Sequence, residues 1–168
     1  MSEVLILTGA CGAGKTTVAK EWARRKNGAI VECDYFTEWI FDKNFVRFSY
    51  EEELLTARIS VSAAKEYLKL SMPVAVENVW TPVGLDLLHK EFSELEYADK
   101  IKFVWLKCDT EENHRRDELR VPENIMGERV DIVNEQLNGY IWPAFLHIID
   151  TTLLDVNHTI KAIEKLTV

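Results

Sequence analysis

The chain has 168 residues, 47% hydrophobic and 29% charged, with a formal net charge of -8. That length suits one domain with its own core, and the acidic balance excludes nucleic acid as the default partner, because a phosphate backbone calls for a basic face. Three widely spaced cysteines, Cys11, Cys33 and Cys108, lack metal or CxxC spacing and read as reduced thiols; apolar runs too short for a bilayer and a start without a signal peptide set the expectation at a cytoplasmic protein with no membrane partner.

Five short apolar runs alternate with longer amphipathic stretches. Residues 4–7 form the first run, and continuous apolarity suits a parallel strand covered on both faces. The glycine-rich stretch from Gly9 to Thr16 follows, and residues 16–23 continue as a helix. The second run, 29–31, leads into Cys33-Asp34. Ser49 and Glu52 form a capping box ahead of the stripe Leu54, Ala57, Val61, Ala64, Leu68, spaced by three and four. The third run, 74–76, ends at Glu77. Thr81-Pro82 then starts a helix, since proline's missing N–H costs nothing at the first helical position. The fourth run, 103–106, precedes a helix that Asp109 or Thr110 can cap, and residues 126–138 predict another, ended by Gly139. Residues 146–149 make the last run, and Asp155 opens the last helix. This alternation predicts an α/β fold with a parallel sheet. No repeat or linker interrupts it, so residues 1–168 read as one domain.

The stretch Gly9-Ala10-Cys11-Gly12-Ala13-Gly14-Lys15-Thr16 satisfies G-x-x-x-x-G-K-[ST] at every fixed position, between a strand and a helix. Glycines let successive backbone N–H groups turn inward around a phosphate, and the helix start adds positive potential. Residues Gly9 to Thr17 are therefore expected to bind a nucleoside triphosphate. Lys15 should reach the β- and γ-phosphates, and the Thr16 hydroxyl should ligate Mg²⁺.

Four further features carry a resemblance: Cys33-Asp34, Glu77-Asn78, the arginines Arg115, Arg116 and Arg120, and Ile149-Asp150-Thr151-Thr152. With them the chain resembles, over nearly its whole length, the small P-loop kinases, a superfamily including shikimate, gluconate, chloramphenicol and nucleoside monophosphate kinases. It is most similar to compact members labelled AAA-like or zeta-toxin-like. The resemblance implies a three-layer P-loop NTPase fold, a five-stranded parallel sheet in the order 2-3-1-4-5, and a small helical lid at about 110–128. It also implies ATP and Mg²⁺ as cofactors and transfer of the γ-phosphate to a hydroxyl of a small molecule. That acceptor would lie across the carboxyl ends of the strands, where open parallel sheets bind ligands.

Each site residue has a structural alternative. Asp34, at the carboxyl end of a strand, is the candidate base for the acceptor hydroxyl; otherwise it caps a helix beginning near Phe36. Glu77 takes a Walker-B-like place, where it would hold magnesium through water; an aspartate is more usual there, and a substrate contact or a turn anchor are the alternatives. Arg116 and Arg120 lie four apart on one helical face, and the resemblance aims them at the transferring phosphate. The surface pairs Glu111–Arg115 and Glu112–Arg116 are the plainer reading. Arg129 is either a lid residue or a solvated charge. Asp150 and Thr151 match the segment lying beside adenine in such kinases, or they cap a turn.

On the acceptor side Asp34, Tyr35, Phe36, Trp39, Arg47, Glu77 and Trp80 would line the pocket, with aromatic rings stacking and Arg47 pairing an anion; core packing is the alternative for the aromatics. Trp22 and Trp105 belong to the core. The chain has no N-K-x-D or D-x-x-G, against a regulatory GTPase. It has no glycine triplet after Glu77, against shikimate kinase, and no D-x-x-R at Asp34, against a nucleoside monophosphate kinase. A non-catalytic ATP-binding or sensing module, a nucleoside or nucleotide kinase and a nucleic-acid end kinase stay as alternatives. A monomer or weak homodimer is expected.

Overall fold

The computed structural model describes residues 2–95 and 98–167. Its five strands are β1 (Ser2–Thr8), β2 (Ala29–Glu32), β3 (Val74–Glu77), β4 (Ala98–Lys107) and β5 (Leu146–Asp150). They form one parallel sheet in the order β2-β3-β1-β4-β5. The helices among the described residues are α1 (Lys15–Lys26), α2 (Tyr35–Glu38), α3 (Tyr50–Lys69), α4 (Pro82–Ser93), α5 (Thr110–Glu118), α6 (Arg129–Gly139) and α7 (Val156–Glu164). A single 3-10 turn, Pro122–Asn124, lies between α5 and α6.

The continuous apolar runs follow from alternation across two covered faces. Val4, Ile6, Val74, Val76 and Phe103 pack with the α3 and α4 stripe of Ala57, Val61, Ala64, Leu85 and Leu88. Their neighbours Leu5, Leu7, Ala75, Val104 and Leu106 face the other way, against Val18 and Trp22 of α1 and Ile160 and Ile163 of α7. A smaller cluster joins Cys11 of the glycine loop to Trp105 and to Val130, Val133 and Leu137 of α6. Trp22 and Trp105 are thus core residues, as the sequence indicates.

Helix starts also follow local chemistry. Ser49 accepts from Glu52 N–H at 3.1 Å, and Glu52 reaches back to Phe48 N–H. Thr81 accepts from Val83 N–H with Pro82 in the first turn, and Asp155 accepts from His158 N–H. Asp109 holds the cap position of α5 without a side-chain cap bond. The α6 helix begins at Arg129 rather than 126. Gly127 has φ +55°, and the buried Asp117 carboxylate accepts from Met126 and Gly127 N–H at 2.7 and 3.0 Å. Those amides are held in a turn, and the helix starts after it. No helix among the described residues is long and apolar enough to cross a membrane.

Candidate active site

The carboxyl ends of β1, β2 and β3 lie side by side. Register pairs Leu7 with Glu77 and Glu77 with Glu32, and Cys33 N–H donates to the Glu77 carbonyl at 3.3 Å. The loop leaving β1, the acid ending β3 and Asp34 just past β2 are therefore brought to one edge by strand pairing alone.

The loop from Gly9 to Gly14 depends on its three glycines; at Gly9 a Cβ would lie 2.6 Å from the Leu106 carbonyl. Gly12 has φ +79°, and a Cβ there would lie 2.5 Å from the Asn113 carbonyl of α5. Gly14 has φ +90° and faces open space, with no atom within 4 Å of a Cβ built on it. Gly14 is also the cap position of α1 and supplies no side-chain cap, so the helix opens onto that space with its orphan amides, the arrangement that binds anions. Lys15 Nζ folds back over the loop and donates to the Ala10 carbonyl at 3.1 Å.

Beside it, the Thr16 hydroxyl donates to Glu77 Oε1 at 2.9 Å. Glu77 is 3% exposed. Burial pushes its carboxyl pKa up, Lys15 and Thr16 pull it back down, and the charges of Asp34 and Glu32 push it up again. The pair Thr16 and Glu77 fits magnesium: both offer hard oxygen, and Mg²⁺ is commonly held by one or two protein oxygens with the rest from phosphates and water. Asp34 is exposed. It sits at the cap position of α2 in αR conformation and makes no side-chain cap bond, so its carboxylate is not committed as a cap.

On the other side of the loop lies a cleft of about 720 Å³ lined by Gly12, Gly14, Thr17, Glu112, Arg120 and residues 151–156. Glu112 accepts from Arg115 at 2.6 and 2.7 Å and from Arg116 Nε at 2.7 Å. These bonds hold its pKa down at about 2. The expected Glu112–Arg116 pair forms, while Arg115 takes Glu112 instead of Glu111. Arg116 lines this cleft as well. Its Nη2 donates to the carbonyls of Thr151 and Thr152 at 2.6 and 3.3 Å, so its donors already point at protein. Arg120 keeps looser contacts, 3.3 Å to the Asn124 carbonyl and 3.5 Å to Asp117.

The α5 helix is also less of a lid than the resemblance implies. Asn113 is buried and donates to Asn134 of α6 at 3.3 Å; only beyond Glu118 does an exposed stretch begin, with Leu119, Val121 and Ile125 on its surface. Thr151 lines the cleft, and its own hydroxyl is bound to the Lys107 carbonyl. Asp150 does not line it, because its carboxylate accepts from Thr152 N–H and serves its own turn.

The acceptor side needs one clear correction. Trp80 is fully buried in the α3–α4 core. Its backbone is clamped there, since Thr8 Oγ1 both accepts from Trp80 N–H and donates to the Trp80 carbonyl, each at 2.9 Å. It cannot line a pocket. Tyr35 and Trp39 are not core residues; Trp39 is 70% exposed and meets Phe41 edge-on. Phe36 packs against the core instead. Arg47 pairs with Glu52 at 3.0 Å and donates to the Thr37 carbonyl, tying its loop to α2 and α3. Sequence reasoning missed a long-range contact: the Arg129 guanidinium lies 3.7 Å from the centre of the Phe48 ring. Neither residue carries a motif, so only the fold brings them together.

A family model described as an AAA domain matches residues 5–133. No curated protein matches the sequence. Among solved structures, the chain is similar to a sugar kinase from Janibacter sp., with a TM-score of 0.75 at 14% identity over 96% of this chain and 92% of that one. It is similar to a gluconokinase from Sinorhizobium meliloti, with a TM-score of 0.69 at 15% identity over 96% and 90%. A third likeness is to the APS kinase of Mycobacterium tuberculosis in complex with AMPPNP and APS, with a TM-score of 0.72 at 15% identity over 97% and 95%. At such identities these likenesses establish the fold, a five-stranded parallel P-loop sheet with helices on both sides.

Proposed function

The chain belongs to the AAA domain family, and from that premise we propose that it is an ATP-dependent kinase transferring the γ-phosphate to a hydroxyl of a small molecule. The observation that carries this reading is the meeting, at one sheet edge, of an open phosphate loop, the Thr16–Glu77 pair and the uncommitted carboxylate of Asp34. A pure nucleotide sensor has no need of the last.

Each residue then has a task. Amides of residues 9–17 hold the triphosphate, and Lys15 leaves the Ala10 carbonyl to meet the β- and γ-oxygens. Thr16 and Glu77 would hold magnesium, which neutralises charge on the phosphates when bound. Asp34 orients the acceptor hydroxyl and takes its proton. Arg120, on the stretch 119–128 that would act as the lid, stabilises charge on the transferring group. Tyr35, Trp39 and Arg47 stand on the acceptor side. The sugar, gluconate and APS kinases among the structural likenesses support hydroxyl acceptors as a class.

The test is a screen of sugars, sugar acids, nucleosides and hydroxylated antibiotics for acceptor-dependent ADP release with MgATP. A phosphorylated product from one class is the expected result. ATP binding without acceptor-dependent turnover across the panel would favour a sensing module instead.

A further inference from the structure

The segment 151–155 walls the cleft opposite the phosphate loop. Leu154 anchors it on the core cluster beneath α1 and α7 and Leu153 is 95% exposed, while polar tethers fix the turn at Thr151 and Thr152. Thr151 N–H and Oγ1 both donate to the Lys107 carbonyl at the end of β4, at 2.7 and 3.1 Å. Asp109 N–H donates to Thr152 Oγ1 at 3.0 Å. Two charged groups add to these: the Asp150 carboxylate accepts from Thr152 N–H at 2.9 Å, and Arg116 bridges the Thr151 and Thr152 carbonyls through Nη2 while Nε is locked on Glu112. A guanidinium held by a carboxylate at one edge and two carbonyls at the other is a planar fork with no slack.

We propose that Arg116 is a positioning residue for the nucleotide base: by fixing the carbonyls of Thr151 and Thr152, it sets the backbone wall that distinguishes one base from another. The inference rests on the reading of the neighbouring loop as a triphosphate site. Adenine and guanine present opposite donor and acceptor patterns along their hydrogen-bonding edges. A backbone wall rejects the wrong pattern only if it is rigid, because a wall that can shift re-pairs its groups at little cost. Arg116 therefore acts on base affinity and selectivity, not on the chemical step. This replaces the phosphate-contact role that its sequence position suggested.

The experiment compares equilibrium binding of MgATP, MgGTP and magnesium tripolyphosphate, which lacks a base, by the wild type, Arg116→Ala and Arg116→Lys. Lysine keeps the charge but cannot bridge two carbonyls while holding Glu112. Arg116→Ala is expected to weaken MgATP by about tenfold or more, the worth of a charge-assisted hydrogen bond. Its ATP-to-GTP preference should fall toward one, and its tripolyphosphate affinity should stay within about threefold of wild type, less than such a bond contributes. Arg116→Lys should lie between, and it carries the test if the alanine variant does not fold. Equal weakening of all three ligands would mean a general structural role and overturn the inference. So would unchanged nucleotide affinity and selectivity in a variant whose kcat alone has fallen. If the wild type bound neither ATP nor tripolyphosphate, the triphosphate-site reading would fail first and this inference with it.

Discussion

Replacing Asp34 by asparagine removes a charge and a proton acceptor while keeping shape. In the folded chain the Asp34 side chain is exposed and makes no cap bond to α2, so little native structure depends on it. Exposed substitutions away from special features change stability by about 0.5 kcal/mol or less, and a shift of that size is expected in the thermal melt. MgATP affinity should also hold, since Asp34 stands on the acceptor side of Glu77. Turnover is different. A positioned base contributes roughly 10²- to 10⁴-fold, which is about 3–5 kcal/mol of barrier. The assay is steady-state ADP release at saturating MgATP with the acceptor found by the screen, beside a melt and an ATP titration. Asp34→Ala discriminates further: a true cap would cost about 1 kcal/mol, whereas the missing bond predicts a smaller loss. Near-wild-type turnover in Asp34→Asn would refute the base assignment and leave Glu77 as the acid at the site.

Arg120→Ala is expected to lower kcat by about 10³-fold while the fold is kept, because its contact with the buried Asp117 is long and two backbone N–H groups still bind that carboxylate; kinetics beside melts would decide, and an unchanged kcat makes it a surface charge. Excess chelator should abolish turnover, and activity surviving it would contradict the metal role of Thr16 and Glu77. Trp80→Ala should cost about 3–5 kcal/mol as a fully buried aromatic lost to a cavity. A small change in its denaturation midpoint would return Trp80 to the acceptor pocket.

What the sequence shows well is what short-range chemistry decides. Alternating burial of Val4, Leu5, Ile6 and Leu7 on two faces makes β1 read as a continuous apolar run, and the run in turn announces a covered parallel strand. The glycine loop and the caps at Ser49, Thr81 and Asp155 are equally local. What it shows poorly depends on partners far along the chain. Arg116 finds its carbonyl partners 35 residues downstream, and no helical spacing announces them. Trp80 follows Glu77 by three residues, yet Thr8, 72 residues upstream, decides which way the chain turns after β3. The late start of α6 reflects Asp117 reaching nine and ten residues ahead. Asp34, Tyr35 and Trp39 fit either a structural or a functional reading in sequence; exposure and the missing cap bond separate the two.

The phosphate loop underlies every other assignment, and calorimetric titration of MgATP into the wild type and Lys15→Ala addresses it directly. Lys15 Nζ donates to the Ala10 carbonyl and its charge faces that of the buried Glu77, so its loss should lower the melt only modestly. The bound triphosphate would lose a charge-assisted contact worth about 1.5–3 kcal/mol, a weakening of roughly 10- to 100-fold. Saturable one-to-one binding by the wild type with that loss in Lys15→Ala is the predicted result. Equal affinity in the two proteins, or no binding by the wild type, would contradict it.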